Sequence, residues 1–249
     1  MMTSNKLSVS CIVPARNEAG TLKEFINNIV STVELKEIVI VEGGSIDNTW
    51  EICEGLEQSN RKKIKVMQQS SSGKFNAVLE GAKLCSSDYI LIWDADGTVP
   101  KEHVHDIIRI ALEKDSSVIG NRLAGVMENG AMRFANKIGN WVFALFWTPI
   151  LQQKPIDLLC GTKIFPKEVF SGLPNWLKLI DPYGDFALIA YAKKLHLSII
   201  SKNVNYLARK YGKTNIRRWR GGLQLALCTI LVYFWILFPG MNVKGENNS

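Results

Sequence analysis

The chain has 249 residues, 47% hydrophobic and 21% charged, which is enough for one large core and excludes a disordered polymer. Five cysteines, an odd number with no C-x-x-C pair, exclude a disulfide framework and a cysteine-based zinc site and fit reduced thiols in a cytosolic protein. The formal net charge of +7 is unevenly placed: Arg209, Lys210, Lys213, Arg217, Arg218 and Arg220 follow one another with no acid among them, and residues 223–238 then carry no charge.

In chain order, residues 1–7 are short and polar and lack the apolar core of a signal peptide, so the fold is expected to begin in the cytosol. Residues 7–13 are apolar and β-branched and stop at Pro14. Residues 37–41 repeat that character and stop at Gly43 and Gly44. Residues 63–67 and 89–93 do so again, and 117–119 form a shorter fifth instance. Between them the spacing is helical: Leu22, Phe25, Ile26 and Ile29 share one face, as do Ala77, Val78, Gly81 and Leu84. Pro100 suits the first turn of a helix after the fourth strand. Near-continuous apolar strands separated by helices predict a mostly parallel α/β sheet covered on both sides, with ligands at the carboxyl ends of the strands. The second half predicts a long aromatic segment over 132–151, a strand over 162–165, a helix over 184–195 and strands over 198–200 and 204–207.

The polar clusters fall at the expected strand ends. Asp94-Ala95-Asp96-Gly97 follows the fourth strand, and two carboxylates so spaced can share a hard divalent cation, Mg²⁺ or Mn²⁺, that bridges a diphosphate. Pro14-Ala15-Arg16-Asn17-Glu18 follows the first strand. Residues 42–49, with Glu42, Gly43, Gly44 and Asp47, follow the second; its glycines allow close approach to a ligand. Gly73-Lys74-Phe75 opens a helix, whose N-terminus favours anions. Neither a Walker A loop nor G-x-G-x-x-G occurs, which disfavours a dinucleotide-dependent dehydrogenase.

Together with Gly120-Asn121-Arg122, residues 157–163 and residues 209–215, these clusters make the chain resemble glycosyltransferase family 2 over roughly residues 7–222. Within that family it is most similar to the polyprenyl-phosphate, or dolichol-phosphate mannosyltransferase-like, branch. The resemblance implies a GT-A fold and a metal-dependent, inverting hexosyltransferase using a UDP- or GDP-linked sugar. It implies donor contacts from Pro14, Ala15, Arg16, Glu18, Glu42, Gly44, Asp47, Lys74, Asp94, Ala95 and Asp96, with Asp94 and Asp96 on the metal. It implies a catalytic part for Asp96, Asp185 and Arg209, and acceptor contacts from Arg122, Arg209, Lys213 and Asn215. The chain departs from the common family pattern at Glu42, Gly43 and Phe75. Asp185 is either a base for a hydroxyl acceptor or a positioning residue, with a helix N-terminal cap as the structural alternative; a phosphate acceptor, mostly ionised at neutral pH, needs no base. Polyprenyl phosphate is the favoured acceptor, with a saccharide or lipid hydroxyl as the alternative. A nucleotidyltransferase and a non-catalytic lipid-binding protein are the readings outside the class.

A basic stretch followed by an apolar one suggests a membrane surface. Nucleic acid would use the charge but not the apolar run, so no nucleic-acid partner is expected. Residues 1–215 are expected to form the GT-A domain and 216–249 a membrane-associated helix and polar tail, interfacial or with a single span. Ile216, Trp219, Leu223, Ala226, Leu227 and Ile230 share its face, which fits an amphipathic entry, and the protein is expected at the cytoplasmic face of the cell membrane.

Overall fold

The computed structural model describes residues 7–209, 211 and 218–238. Seven strands form one sheet: β1 (Val9–Ala15), β2 (Glu37–Glu42), β3 (Ile64–Gln68), β4 (Tyr89–Ile92), β5 (Ser117–Asn121), β6 (Lys163–Pro166) and β7 (Ile199–Asn203). Their order is β3-β2-β1-β4-β6-β5-β7. All neighbours pair in parallel except β6, which runs antiparallel to both β4 and β5. The helices are α1 (Leu22–Thr32), α2 (Thr49–Ser59), α3 (Lys74–Leu84), α4 (Lys101–Lys114), α5 (Phe134–Leu151), α6 (Glu168–Ser171), α7 (Asn175–Ile180), α8 (Asp185–Lys194) and α9 (Arg218–Leu237).

Strand alternation divides the interior into two layers. Cys11, Val13, Ile38, Ile40 and Leu91 face α1, α2 and α4. Ile12, Val39, Val41, Ile90 and Ile92 face the other side, under α3, α5, α8 and α9. The face predicted on α1 is buried at Leu22, Ile26 and Ile29. On α3, Ala77, Val78 and Gly81 are buried, but Leu84 is 40% exposed because it ends the helix. Gly81 rests on Val41 and Ile12, where a side chain would not fit.

Strand order reverses beside β1: β2 and β3 lie to one side and β4 to the other. That switch point, between the carboxyl ends of β1 and β4, is where an open α/β sheet offers a crevice. The loops after β1 and β4 carry Glu18, Asp94 and Asp96.

One expected strand is not formed. Residues 204–207 make a single bridge, Met127 to Tyr206, because the N–H groups of Val204, Tyr206 and Leu207 go to three different segments. Val204 donates to Asn121 O, Tyr206 to Val126 O and Leu207 to Thr98 O. The stretch is a strap drawn across the strand ends.

The C-terminal helix is part of the fold. Leu225, Cys228, Val232 and Trp235 on α9 are buried in the layer that includes α5, α7 and α8. Among the described residues no helix is long and apolar enough to cross a membrane, so the single span expected as an alternative finds no support. Ile216 lies outside the described residues, as does the side chain of Trp219.

Candidate active site

The carboxylates at the switch point are held by cations from distant parts of the chain. Lys74, at the first position of α3, places Nζ 2.5 Å from Asp94 Oδ1. Arg209, at the end of the strap, donates from Nη2 to Asp96 Oδ2 at 2.6 Å and from Nη1 to Glu18 Oε1 at 2.9 Å. Residues from the loops after β1 and β4, the start of α3 and the strap thus meet within two linked ion-pair clusters. Burial opposes ionisation of Asp94, but Lys74, with Arg122 and Arg209 beyond it, holds its carboxyl below the ordinary carboxylate range. At Glu18 burial wins and raises the carboxyl, against Arg209.

Asp96 is fixed from behind. Thr98 donates to Asp96 Oδ1 from its backbone N at 3.1 Å and its hydroxyl at 2.9 Å, leaving Oδ2 turned to Arg209. Asp94 lies against Gly161, where any Cβ would overlap its carboxylate. Asp94, Asp96, Arg122, Gly161, Thr162 and Tyr206 line one pocket. Two carboxylates facing that space suit a hard cation completed by phosphate and water oxygens, so the donor set fits Mg²⁺ or Mn²⁺. Among the described residues no group of three or more His, Cys, Asp or Glu could hold a metal alone.

The loops after β1 and β2 lock to one another. Asn17, at φ +55°, donates its N–H to Ser45 Oγ, and its side chain accepts from Ile46 N. Glu18 N donates to Thr49 Oγ1 and Ala19 N to Asp47 Oδ2. Glu42 is buried and accepts from Ser45 N at 2.6 Å. Glu42 and Asp47, both expected at the donor, therefore build the loops that would carry it. Gly44, at φ +68°, makes the turn between them. Ala15 is buried, while Arg16 and Gly44 are exposed at the rim with Pro14 partly covered.

A second pocket opens beyond Lys74, lined by Lys74, Gly161, Lys163, Tyr183 and Asp185. Asp181, and not Asp185, caps α8: its buried carboxylate accepts N–H bonds from Tyr183, Gly184, Phe186 and Ala187. Asp185 is left to pair with Lys163 Nζ at 2.6 Å, a lysine 1% exposed whose ammonium also donates to Leu158 O. Phe75 turns into the core against Gly184, which sits at φ +76°. That directs Lys74 to the pocket despite the departure from the family pattern.

Arg122, expected at the acceptor, is engaged by fully buried Asp157 through Nε at 2.5 Å and Nη2 at 3.1 Å, and lies over the Tyr206 ring. Lys213 and Asn215 lie outside the described residues. Sequence reasoning did not single out Thr98, Asp181 or Tyr206. The Asp-Gly-Thr run after Asp94 was a readable signal for Thr98, since an Asp accepting from the residue two positions on is a common turn.

Residues 10–171 match the family described as Glycosyl transferase family 2. Glycosyltransferase AglJ of Haloferax volcanii is 30% identical over 164 residues, 66% of this chain and 52% of that protein. The dolichol-phosphate mannosyltransferase of Pyrococcus furiosus is 30% identical over 140 residues, 55% of this chain and 37% of that protein. The matched part is thus about half, or less, of the length of these relatives. Among solved structures, mannosyl-3-phosphoglycerate synthase from Rubrobacter xylanophilus aligns with a TM-score of 0.69 at 17% identity, over 98% of this chain and 79% of that one. Glucosyl-3-phosphoglycerate synthase from Mycobacterium tuberculosis, in complex with Mn²⁺, UDP-glucose and phosphoglyceric acid, aligns with a TM-score of 0.66 at 16% identity, over 91% and 79%. The likeness to these structures shows the GT-A-like fold.

Proposed function

This chain belongs to glycosyl transferase family 2, and from that we infer that it transfers a sugar from a UDP- or GDP-linked donor to polyprenyl phosphate or another membrane-lipid acceptor. The observation that carries the inference is the meeting of Glu18, Lys74, Asp94, Asp96 and Arg209 at the β1/β4 switch point. The nucleoside rests on the interlocked loops after β1 and β2, and the diphosphate reaches the two carboxylates.

Asp94 and Asp96 would hold Mg²⁺ or Mn²⁺, which when bound would neutralise charge on the departing diphosphate. Lys74 and Arg209 are the chain's own cations within reach of the same charge, released from their carboxylates as the donor enters. Thr98 and Gly161 keep the carboxylates in place meanwhile. The acceptor occupies the second pocket, and its oxygen attacks the anomeric carbon as the bond from that carbon to the diphosphate oxygen breaks. The electron pair leaves on the nucleoside diphosphate.

Lys74 and Lys163 in the second pocket suit an acceptor phosphate, which is ionised at neutral pH without help. The mannosyltransferase relative is named for a lipid phosphate, which supports a phosphate acceptor. A hydroxyl acceptor is the second reading, favoured by the freedom of Asp185 from helix capping. Incubation with UDP- and GDP-hexoses and polyprenyl phosphate should yield a hexosylated lipid phosphate and free UDP or GDP. Release of pyrophosphate from a nucleoside triphosphate would indicate a nucleotidyltransferase. Transfer only to a hydroxyl lipid, lost in Asp185→Asn, would replace the phosphate acceptor.

A further inference from the structure

The face that α5 and α9 turn to solvent is built unlike the rest of the surface. On α5, Ile138, Trp141, Val142, Leu145 and Phe146 are each 43–59% exposed and fall on one stripe at helical spacing. On α9, Leu223, Leu227, Ile230, Leu231 and Phe234 form a second stripe, each 45–65% exposed. The two stripes join where the Phe146 and Tyr233 rings lie 4.5 Å apart between centroids. The opposite faces of both helices are buried in the core, so the apolar stripes are surplus to folding. By contrast α4, also an outer helix, turns Glu102, His105, Arg109 and Glu113 outward.

Charge follows the same division. Residues 129–156 and 186–245 contain 13 of the chain's 30 Lys and Arg and none of its 23 Asp and Glu, so the remainder of the chain is net acidic. An acid-free, cation-flanked pair of apolar helices is complementary to an anionic bilayer, whose surface attracts Lys and Arg while its acyl boundary takes up Leu, Phe and Trp.

We propose that α5 and α9 lie in the plane of an anionic lipid bilayer, their exposed stripes entering the acyl boundary, and that this surface brings the second pocket to the headgroups. Phe143 and Trp147 on the inner side of α5 touch Phe186, the neighbour of Asp185, at 5.4 and 5.6 Å between ring centroids. The helix is about 10 Å across, so a phosphate on a membrane lipid is separated from Asp185 and Lys163 by little more than one helix width. In placing the acceptor at the bilayer the proposal rests on the lipid-acceptor reading, whereas vesicle binding tests the surface alone.

The test is flotation of the full chain with vesicles of phosphatidylcholine, or of an equal mixture of phosphatidylcholine and phosphatidylglycerol. The protein is expected to float with the mixed vesicles and to be released by salt. Trp141→Glu with Leu145→Glu, or Leu227→Glu with Phe234→Glu, should each weaken partition by about tenfold or more, with the unfolding temperature kept. As a check independent of those charges, brominated phosphatidylcholine should quench tryptophan emission less in Trp141→Phe than in the unaltered protein. Failure of the unaltered protein to float, or undiminished flotation of both double variants, would overturn the proposal. So would a stable dimer in solution that the same substitutions dissociate, since a second copy would then own the face. Vesicle binding without glycosylation of any lipid would leave the surface standing and remove the acceptor.

Discussion

The two ends of the sheet both bury carboxylates beside cations, yet only one is built for a ligand. At the amino end, Glu37 is 4% exposed, with Lys65 Nζ 2.5 Å from Oε2 and with Ser10 and Ser86 hydroxyls and Ser86 N–H on Oε1. Burial works against its charge, but those donors outweigh it and hold the carboxyl at about 2. Its partners belong to the adjoining strands β1 and β3 and to the loop before β4, and it lines neither of the two pockets at the strand ends. At the carboxyl end, Asp94 and Asp96 have partners on a helix start and a strap, and both line one pocket. Pairing alone therefore does not mark a site. Room beside the pair does.

The contrast is sharpest in Asp96→Asn, which should lower kcat/KM for transfer by about 10²–10³ without lowering the unfolding temperature. Steady-state assays of Glu37→Gln should show kinetics like those of the unaltered protein; an equal loss in both would break the distinction. Next comes Gly161→Ala, whose Cβ would displace the Asp94 carboxylate. A misplacement of about 1 Å costs roughly 10²-fold in rate, whereas Gly55→Ala, with open space around it, should leave rate unchanged.

Asp181 stands inside the carboxyl-end region but belongs with Glu37 in kind. Replacing it with Ala leaves four N–H groups without their acceptor and should cost about 2 kcal/mol in urea unfolding. The smallest effect is the pH dependence at Glu37. Its folded carboxyl lies below its ordinary value of 4.5, so its stabilisation is present above that value and fades as pH falls toward about 2. Since Lys65 is half solvent-exposed, a discounted loss of about 1–2 kcal/mol between pH 5 and 2 is expected. Urea titrations should show a stability loss between pH 5 and 2 that is smaller in Glu37→Gln than in the unaltered protein by about that amount.

Much of this was legible in the sequence. Apolar runs ending at Pro14, Gly43 and Asp94 located the first strands, and the polar clusters after them located the pocket, because strand ends and ligand loops coincide in such sheets. Strand direction was not legible: the run at 162–165 looks the same in either sense, so β6 gave no sign of turning antiparallel. The sequence pointed to Asp185 as the cap and gave no sign of Asp181, since capping from Asp181 depends on a turn through Gly184 at positive φ. Lys163 was visible only as part of a motif, because lysines are seldom fully buried and nothing local announces its pairing with Asp185. Glu42 and Asp47 show the converse: a carboxylate near glycine serves a loop as readily as a ligand.

The central claim is that Asp94 and Asp96 hold a nucleotide diphosphate at the β1/β4 switch point together with a divalent cation. Thermal unfolding with UDP or GDP, each with and without Mn²⁺, tests it most directly. At about 100 times its dissociation constant one nucleotide should add roughly 2.7 kcal/mol of stability, only with Mn²⁺, and Asp96→Asn should abolish the gain. Folded protein that gains nothing from either nucleotide with Mn²⁺, or gains equally in Asp96→Asn, would contradict the claim.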